Sequence, residues 1–371
     1  SLPPLGVVVD YYFDNIQLGP GTPTFSGQTV KTNLIQLDNA GTVTVTYGSG
    51  GGASGVAAPT TAGVYTFTTT QRVDSGGTYT ALGTSPSVTI YPDTAAYLKV
   101  TGTATMTAGD NNELTVRAYD QYDNLCDSGP NNYNGSKDLT FSGPGNAPDG
   151  MIPTVEGTNI GSATAVNFTN GASDAAAATL IAYRAETTTV DADDGTINSD
   201  GDPSYDLDLT VNTDSANKLA FTVQPSNTTA TEAIAPAVTV TVQDQFGNTI
   251  TSDNSTDVTL AIGTNPGAGT LSGTLTQTAS SGIATFSDLS INKAGTGYTL
   301  TASSSPSYTG DTSDPFNVTA GALDHIVIED AGGGTGSPVD THSMSSDDTY
   351  TLYAIGYDSE NNYTGDVSVT W

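Results

Sequence analysis

The sequence predicts an all-β chain made of several sandwich-sized units in a row. Three observations carry that reading. Apolar residues alternate with Thr and Ser over short runs, helical signals are nearly absent, and whole segments recur along the chain.

The alternation is plainest in Val43-Thr44-Val45-Thr46-Tyr47, Tyr65-Thr66-Phe67-Thr68, Val238-Thr239-Val240-Thr241-Val242 and Tyr298-Thr299-Leu300-Thr301. A period of two puts one set of side chains on each face of a pleated strand. Threonine is β-branched and stiff, so it suits the wet face of a sheet without adding charge. Ser173-Asp174 followed by four alanines is the one passable helix start, and its place in the repeat described below makes it a strand end instead. High Gly and Ser content raises the question of disorder, but 36% hydrophobic residues and 18 tyrosines spread along the chain give enough apolar surface for cores.

Charge excludes further classes. Only 8 basic residues stand against 39 acidic ones, a formal charge of -31, and charged residues make up 13% of the chain against about 25% in a typical soluble domain. A nucleic-acid binder needs a basic face, and there is too little Lys and Arg to build one. A lone cysteine, Cys126, removes a disulfide framework and a cysteine zinc site. No apolar run approaches the roughly 18 residues that span a bilayer as a helix, so no membrane insertion is expected. At about 100 residues per sandwich, 371 residues predict three to four units.

The repeats set the boundaries. Ala96-Tyr97-Leu98-Lys99-Val100, Ala216-Asn217-Lys218-Leu219-Ala220-Phe221 and Ala322-Leu323-Asp324-His325-Ile326 open alike, each after a terminating strand at Val88-Thr89-Ile90, Leu209-Thr210-Val211 or Phe316-Asn317-Val318. Inside each unit a strand runs into an Asp-x-x-x-Asn turn: Asp120 to Asn124, Asp244 to Asn248, Asp358 to Asn362. Then come Asp138-Leu139-Thr140-Phe141, Asp257-Val258-Thr259-Leu260 and Asp366-Val367-Ser368-Val369, and later Gly161-Ser162-Ala163-Thr164-Ala165-Val166 and Gly282-Ile283-Ala284-Thr285-Phe286. Asp and Asn at a strand end form Asx turns and tolerate the left-handed region, so turn chemistry explains the Asp/Asn pairs better than a metal does. The expected units are 1–92, 93–213 with a long acidic loop, 214–319, and 320–371 as the front half of a further unit.

This order of strand, Asp-x-x-Gly-Asn turn, Asp-Val-Thr strand, Gly-x-Ala-x-Phe strand and Gly-Tyr-Thr-Leu-Thr-Ala ending resembles the bacterial immunoglobulin-like repeats of the invasin and intimin type. Residues 214–319 match best, and 93–213 match with longer loops. In the N-terminal region, Val45-Thr46-Tyr47, Ala58-Pro59-Thr60-Thr61-Ala62-Gly63-Val64-Tyr65-Thr66 and Tyr79-Thr80 are similar to another Ig-like module common in giant bacterial surface proteins. The resemblance implies tandem Ig-like β-sandwiches in an elongated array at a cell surface, and it implies architecture rather than activity. The start at Ser1-Leu2-Pro3-Pro4 reads as a mature or cut end. Residues 320–371 hold too few strands for a sandwich, so the parent chain is expected to continue, with strand donation by a neighbouring subunit as the alternative.

Chemistry-bearing residues are sparse, and no enzyme is expected. His325 and His342 lie in no triad or metalloprotease context, and Cys126 reads as a small buried hydrophobe. Gly50-Gly51-Gly52-Ala53-Ser54-Gly55 fits a dinucleotide fingerprint formally but has no βαβ setting. Calcium is the one cofactor the sequence suggests. Asp191, Asp193, Asp194, Asp200, Asp202, Asp206 and Asp208, with Gly195, Asn198 and Gly201 among them, supply many oxygens in one loop, although the spacing is not that of an EF-hand. A solvated acidic hairpin tip is the competing reading. Six N-x-S/T sequons offer glycosylation sites, at Asn134, Asn167, Asn227, Asn254, Asn317 and Asn362. The composition fits a non-catalytic subunit of a microbial cell exterior that self-assembles into a surface layer or sheath, with envelope components or glycans as further partners. An adhesin stalk, or accessory domains of a secreted polysaccharide-acting enzyme, are the alternatives.

Overall fold

The computed structural model describes residues 60–66 and 87–370, together with the backbone of the strands Val9–Phe13, Thr24–Ser26, Thr29–Leu34, Thr70–Gln71 and Thr80–Ala81. The expected strand at Val43–Tyr47 and the glycine run 50–55 lie outside the described residues. Every regular element among the described residues is a β-strand.

Residues 214–319 form a two-layer sandwich. One layer holds Lys218–Val223, Val238–Gln243 and Ile283–Phe286. The facing layer holds Thr276–Thr278, Asp257–Ile262, Leu300–Ser305 and Asp311–Thr312. Between them lie Val238, Val240 and Val242 from the first layer and Val258, Leu260 and Leu300 from the second, closed by Phe286, Ile291 and Phe316. The alternation read from the sequence is the cause: Val238, Val240 and Val242 are buried on one face, with Thr239 on the other. Thr228–Thr229 pairs in parallel with Phe316–Thr319, so the beginning and end of the segment lie side by side.

One expectation needs correcting. Tyr298 to Thr301 is not a continuous strand. Gly295–Tyr298 pairs with Phe316–Thr319, the chain breaks at Thr299, and Leu300–Ser305 then pairs with Asp257–Ile262. Thr299 is pinned in the break, its carbonyl accepting from Gly263 N at 2.8 Å and its hydroxyl from Thr264 N at 2.8 Å. Just before the break, the fully buried Tyr298 sends its hydroxyl back to the carbonyl of Lys293 at 2.8 Å. This is the geometry of a tyrosine corner, which fixes the bend where a chain changes sheets in an immunoglobulin-type sandwich.

Residues 93–213 follow the same plan with a wrapped sheet of eight strands and a smaller sheet of Asn111–Glu113, Thr179–Ile181, Thr154–Val155 and Thr158–Asn159. Gly135–Ser142 pairs with Ala163–Thr169 through residues 135–140 and with Glu186–Asp193 through residues 140–142, so a single strand serves both layers. Thr105–Thr107 runs parallel to Leu207–Asn212, the counterpart of the parallel pair above. Ala172–Ser173 is a strand end as expected, and Ala176 takes a positive φ of 55° that ends any helical path. Cys126 is fully buried in this core, and burial pushes its thiol up to about 11.

The last sheet holds His325–Glu329, Tyr353–Tyr357 and Tyr363–Asp366. Here the repeat drifts from its pattern. Leu323 precedes the first strand and is 50% exposed, and the third strand stops at Asp366 instead of continuing through Val367 to Val369. Tyr298→Phe should destabilise the 214–319 sandwich by about 1 kcal/mol through the lost hydrogen bond, while Thr239→Val on the wet face should stay near zero; urea unfolding of the two variants checks the contrast.

Candidate functional site

The Asp-x-x-x-Asn turns become the main site of the molecule. In each, the aspartate is almost fully buried: Asp120 and Asp244 at 0% exposure and Asp358 at 3%. A buried carboxylate is costly unless N–H groups surround it, and here they do. One oxygen of Asp244 accepts from the main-chain N–H of Phe246 and of Asn248, both at 2.9 Å. The other accepts from the Asn248 carboxamide at 2.8 Å and from Asp214 N, in the connector before the unit, at 3.1 Å. Asp120 takes the same four bonds from Tyr122 N, Asn124 N, Asn124 Nδ2 and Asp93 N, and Asp358 takes them from Glu360 N, Asn362 N, Asn362 Nδ2 and Gly321 N. The fourth residue of each turn has positive φ: 65° at Asp123, 85° at Gly247 and 58° at Asn361. Asp, Gly and Asn are the types that tolerate that region, which is why they stand there.

Sequence reasoning saw these turns but missed what the asparagine does. Held by the aspartate, each carboxamide faces the preceding unit and closes on its main chain at two points. Asn248 Nδ2 donates to Tyr183 O at 2.7 Å while Oδ1 accepts from Ala185 N at 2.8 Å. Asn362 bonds Asn292 O and Ala294 N, both at 2.9 Å, and Asn124 bonds Thr60 O at 2.7 Å and Ala62 N at 2.8 Å. In all three the socket is a tripeptide ending in alanine: 60–62, 183–185 and 292–294. The carboxamide can sit only one way round. Reversed, its oxygen would face a carboxylate and a carbonyl, and its NH2 would face a main-chain N–H. The signal available in sequence was slight: Thr60-Thr61-Ala62-Gly63 shares only Ala-Gly with Asn292-Lys293-Ala294-Gly295, and Tyr183-Arg184-Ala185-Glu186 shares only the alanine.

Burial alone would raise the Asp120 carboxyl, but its hydrogen bonds from Asn124, Asp93 and Tyr122 offset this and hold it below the usual carboxylate range. At Asp358 burial is likewise outweighed by Asn362, Gly321 and Glu360. A folded-state value below the unfolded one means that this stabilisation is present above the ordinary carboxylate range. It is lost as pH falls through the lowered folded values.

The acidic loop is arranged differently from a calcium cage. Asp193 caps Gly195 N at 2.6 Å, Asp202 caps Ser204 N at 2.8 Å, and Asp194 accepts from Thr196 N and Ile197 N at 2.8 Å and from the Tyr133 hydroxyl at 2.5 Å. Asp200 and Asp208 are exposed. Only Asp191 and Asp206 share a place. Burial, followed by its contact with Asp206, pushes Asp191 up to about 6, and the buried Oδ1 of Asp206 has no hydrogen-bond partner, so the protonated Asp191 carboxyl has an acceptor beside it. Among the described residues no three His, Cys, Asp or Glu side chains gather where they could hold a metal, and turn N–H groups engage several of these carboxylates.

Four sequon asparagines, Asn134, Asn167, Asn227 and Asn254, are exposed, and Asn317 is half-buried. Asn362 is 6% exposed, and its nitrogen is committed to Asn292 and Asp358, so a glycan there would break the joint. His325 lies beside Asp324 at 3.1 Å and over the Tyr357 ring, and His342 stacks on Tyr350 with centroids 3.8 Å apart.

No family model and no curated protein matches this chain. Solved structures that are similar include the Yersinia pseudotuberculosis adhesin InvE, at 14% identity and a TM-score of 0.25, covering 69% of this chain and 66% of that one. Extracellular cadherin domains 3–6 of protocadherin gamma B2 align at 14% identity and a TM-score of 0.27, covering 86% of this chain and 67% of that one. A Parabacteroides merdae β-glucuronidase aligns at 10% identity and a TM-score of 0.20 over 58% of this chain and 24% of its own. At these scores we take nothing about function from them.

Substitutions at two positions, Asn248 and Asp206, test these arrangements. Asn248→Asp keeps the shape but sets a second carboxylate against Asp244 and the Tyr183 carbonyl. It should lower the unfolding midpoint of the flanking segments more than Asn248→Ala, which itself should cost about 1–3 kcal/mol for each buried group left unpaired. Asp206→Asn should flatten a pH response. With Asp191 raised to about 6, its proton stabilises the fold at low pH and this contribution fades as pH rises from the ordinary value of 3.8 to about 6. Thermal melts across that window should show a steeper slope in the parent than in the variant, where burial alone still raises Asp191.

Proposed function

We propose that this chain is a non-catalytic, load-bearing rod of a microbial cell exterior, of the kind that forms the stalk of an adhesin. One observation carries the reading: the same Asp-held asparagine clasp occurs three times, and each time it fastens one unit to the main chain of the unit before it. Joints of this kind act along the chain direction, which is what a stalk requires. Connectors that are hydrogen-bonded to the clasp aspartate leave little slack between units. Composition agrees, since a wet surface of Thr and Ser with few lysines stays soluble without catalytic equipment.

A second reading, a surface-layer or sheath subunit, is favoured by the formal charge of -31. Such charge keeps free copies apart until counter-ions bridge them, and calcium would serve as that bridge between chains. Electron microscopy of native envelope separates the readings. Isolated fibres support the stalk, whereas a periodic lattice that disperses on chelation of divalent cations overturns it in favour of the subunit. Small-angle scattering of the purified chain should give the long-tailed distance distribution of a rod, and a compact particle would overturn both.

A further inference from the structure

The three clasps share their polar frame but differ at the third turn residue, which is Tyr122, Phe246 or Glu360. Phe246 is a plug. It is 7% exposed and belongs to the core of the preceding segment, with its ring 5.1 Å from Tyr183 and so close to Gly109 that a Cβ there would lie 2.6 Å from it. Its carbonyl also accepts from Asp149 N at 3.2 Å. Glu360 is instead a charged contact. Its carboxylate accepts from Asn292 Nδ2 at 3.1 Å, and its carbonyl accepts from the Lys293 ammonium. Tyr122 remains 49% exposed.

Lys293 stands at the centre of its socket, as Arg184 and Thr61 do in theirs, and it is one of only 8 basic residues. It faces a segment, 320–371, that holds acidic residues and no Lys or Arg. We infer that the third turn residue selects the preceding unit on which each clasp closes, so the joints are not interchangeable: the joint at Phe246 is an apolar lock, and the joint at Glu360 is a charge-assisted one, an ammonium on a main-chain carbonyl and a carboxylate on an amide, that loosens with salt. The reasons are the burial costs of mismatch. A glutamate in the Phe246 position would bury a carboxylate against Tyr183 and Gly109, and a phenylalanine in the Glu360 position would strip the Asn292 carboxamide of its partner and remove the one carboxylate beside Lys293 on that turn residue. Salt discriminates between the two because it screens charge but strengthens apolar burial.

This inference rests on the serial-rod reading, whose own failure would appear as compact scattering rather than in the following measurement. The full chain, with buried Cys126 replaced by Ala, carries spin labels at Thr196→Cys and Thr276→Cys to span the Phe246 joint, or at Thr276→Cys and Asp324→Cys to span the Glu360 joint. Raising salt from about 0.1 to about 1 M cuts the Debye length from about 10 to about 3 Å. Over that range the first pair should keep a narrow distance peak, and the second should lose its own. Lys293→Gln should broaden the second pair at low salt and remove its salt response. Phe246→Glu should broaden the first pair, whereas Phe246→Leu should not; circular dichroism checks folding, and Lys293→Gln and Phe246→Leu keep the test open if Phe246→Glu does not fold. An equal salt response at both joints, or an unchanged one in Lys293→Gln, overturns the inference.

Discussion

A buried carboxylate that must be satisfied governs this molecule. Asp120, Asp244 and Asp358 lie almost without solvent at the ends of strands, where an ionised group survives only with N–H donors around it. Two donors come from the turn itself, one from the connector and one from an asparagine side chain. Meeting that demand fixes the turn, the path of the chain entering the unit and the angle of one carboxamide. The carboxamide then has one N–H and one oxygen left over, and they match the carbonyl and N–H two residues apart on a neighbouring edge. Local electrostatics thus produces a long-range joint from main-chain groups, to which the third turn residue adds its own contact at Phe246 and Glu360.

Much of the fold was legible in the sequence because strand alternation is a local property. Ala163 to Thr169 buries alternate residues as its pattern indicates, and Val238 to Val242 buries its three valines, with Thr241 buried as well. Turn chemistry was legible for the same reason, since an aspartate and the N–H groups two and four residues on are neighbours in any sequence. The break at Thr299 was not, because Tyr298 and Leu300 keep their alternation while the chain changes layers; the cause is the Tyr298 hydroxyl reaching back to Lys293, a contact outside the window of a periodic pattern. The strand stop at Asp366 escaped similarly, because Val367 still bonds Ala354 although the pairing has ended.

The site was half visible. The Asp/Asn pairs stood out, but their partners lie 62 to 70 residues away and each is only an ordinary tripeptide ending in alanine. Main-chain groups carry the recognition, so side-chain identity leaves little trace. The acidic loop is hard to read for the opposite reason. Its carboxylates crowd together in sequence, but a β-hairpin sends consecutive side chains to opposite faces, and turn N–H groups claim several of them.

The parallel pairing of Thr228–Thr229 with Phe316–Thr319 has a mechanical corollary. Tension pulling on a unit enters near one of these strands and leaves by the other. The bonds between them, Ala230 N to Thr319 O and Asn317 N to the Asn227 side chain among them, are then loaded in shear, together, rather than peeled one after another. The same arrangement recurs where Thr105–Thr107 meets Leu207–Asn212, so the apolar interiors sit behind a strap that must yield before they feel the strain.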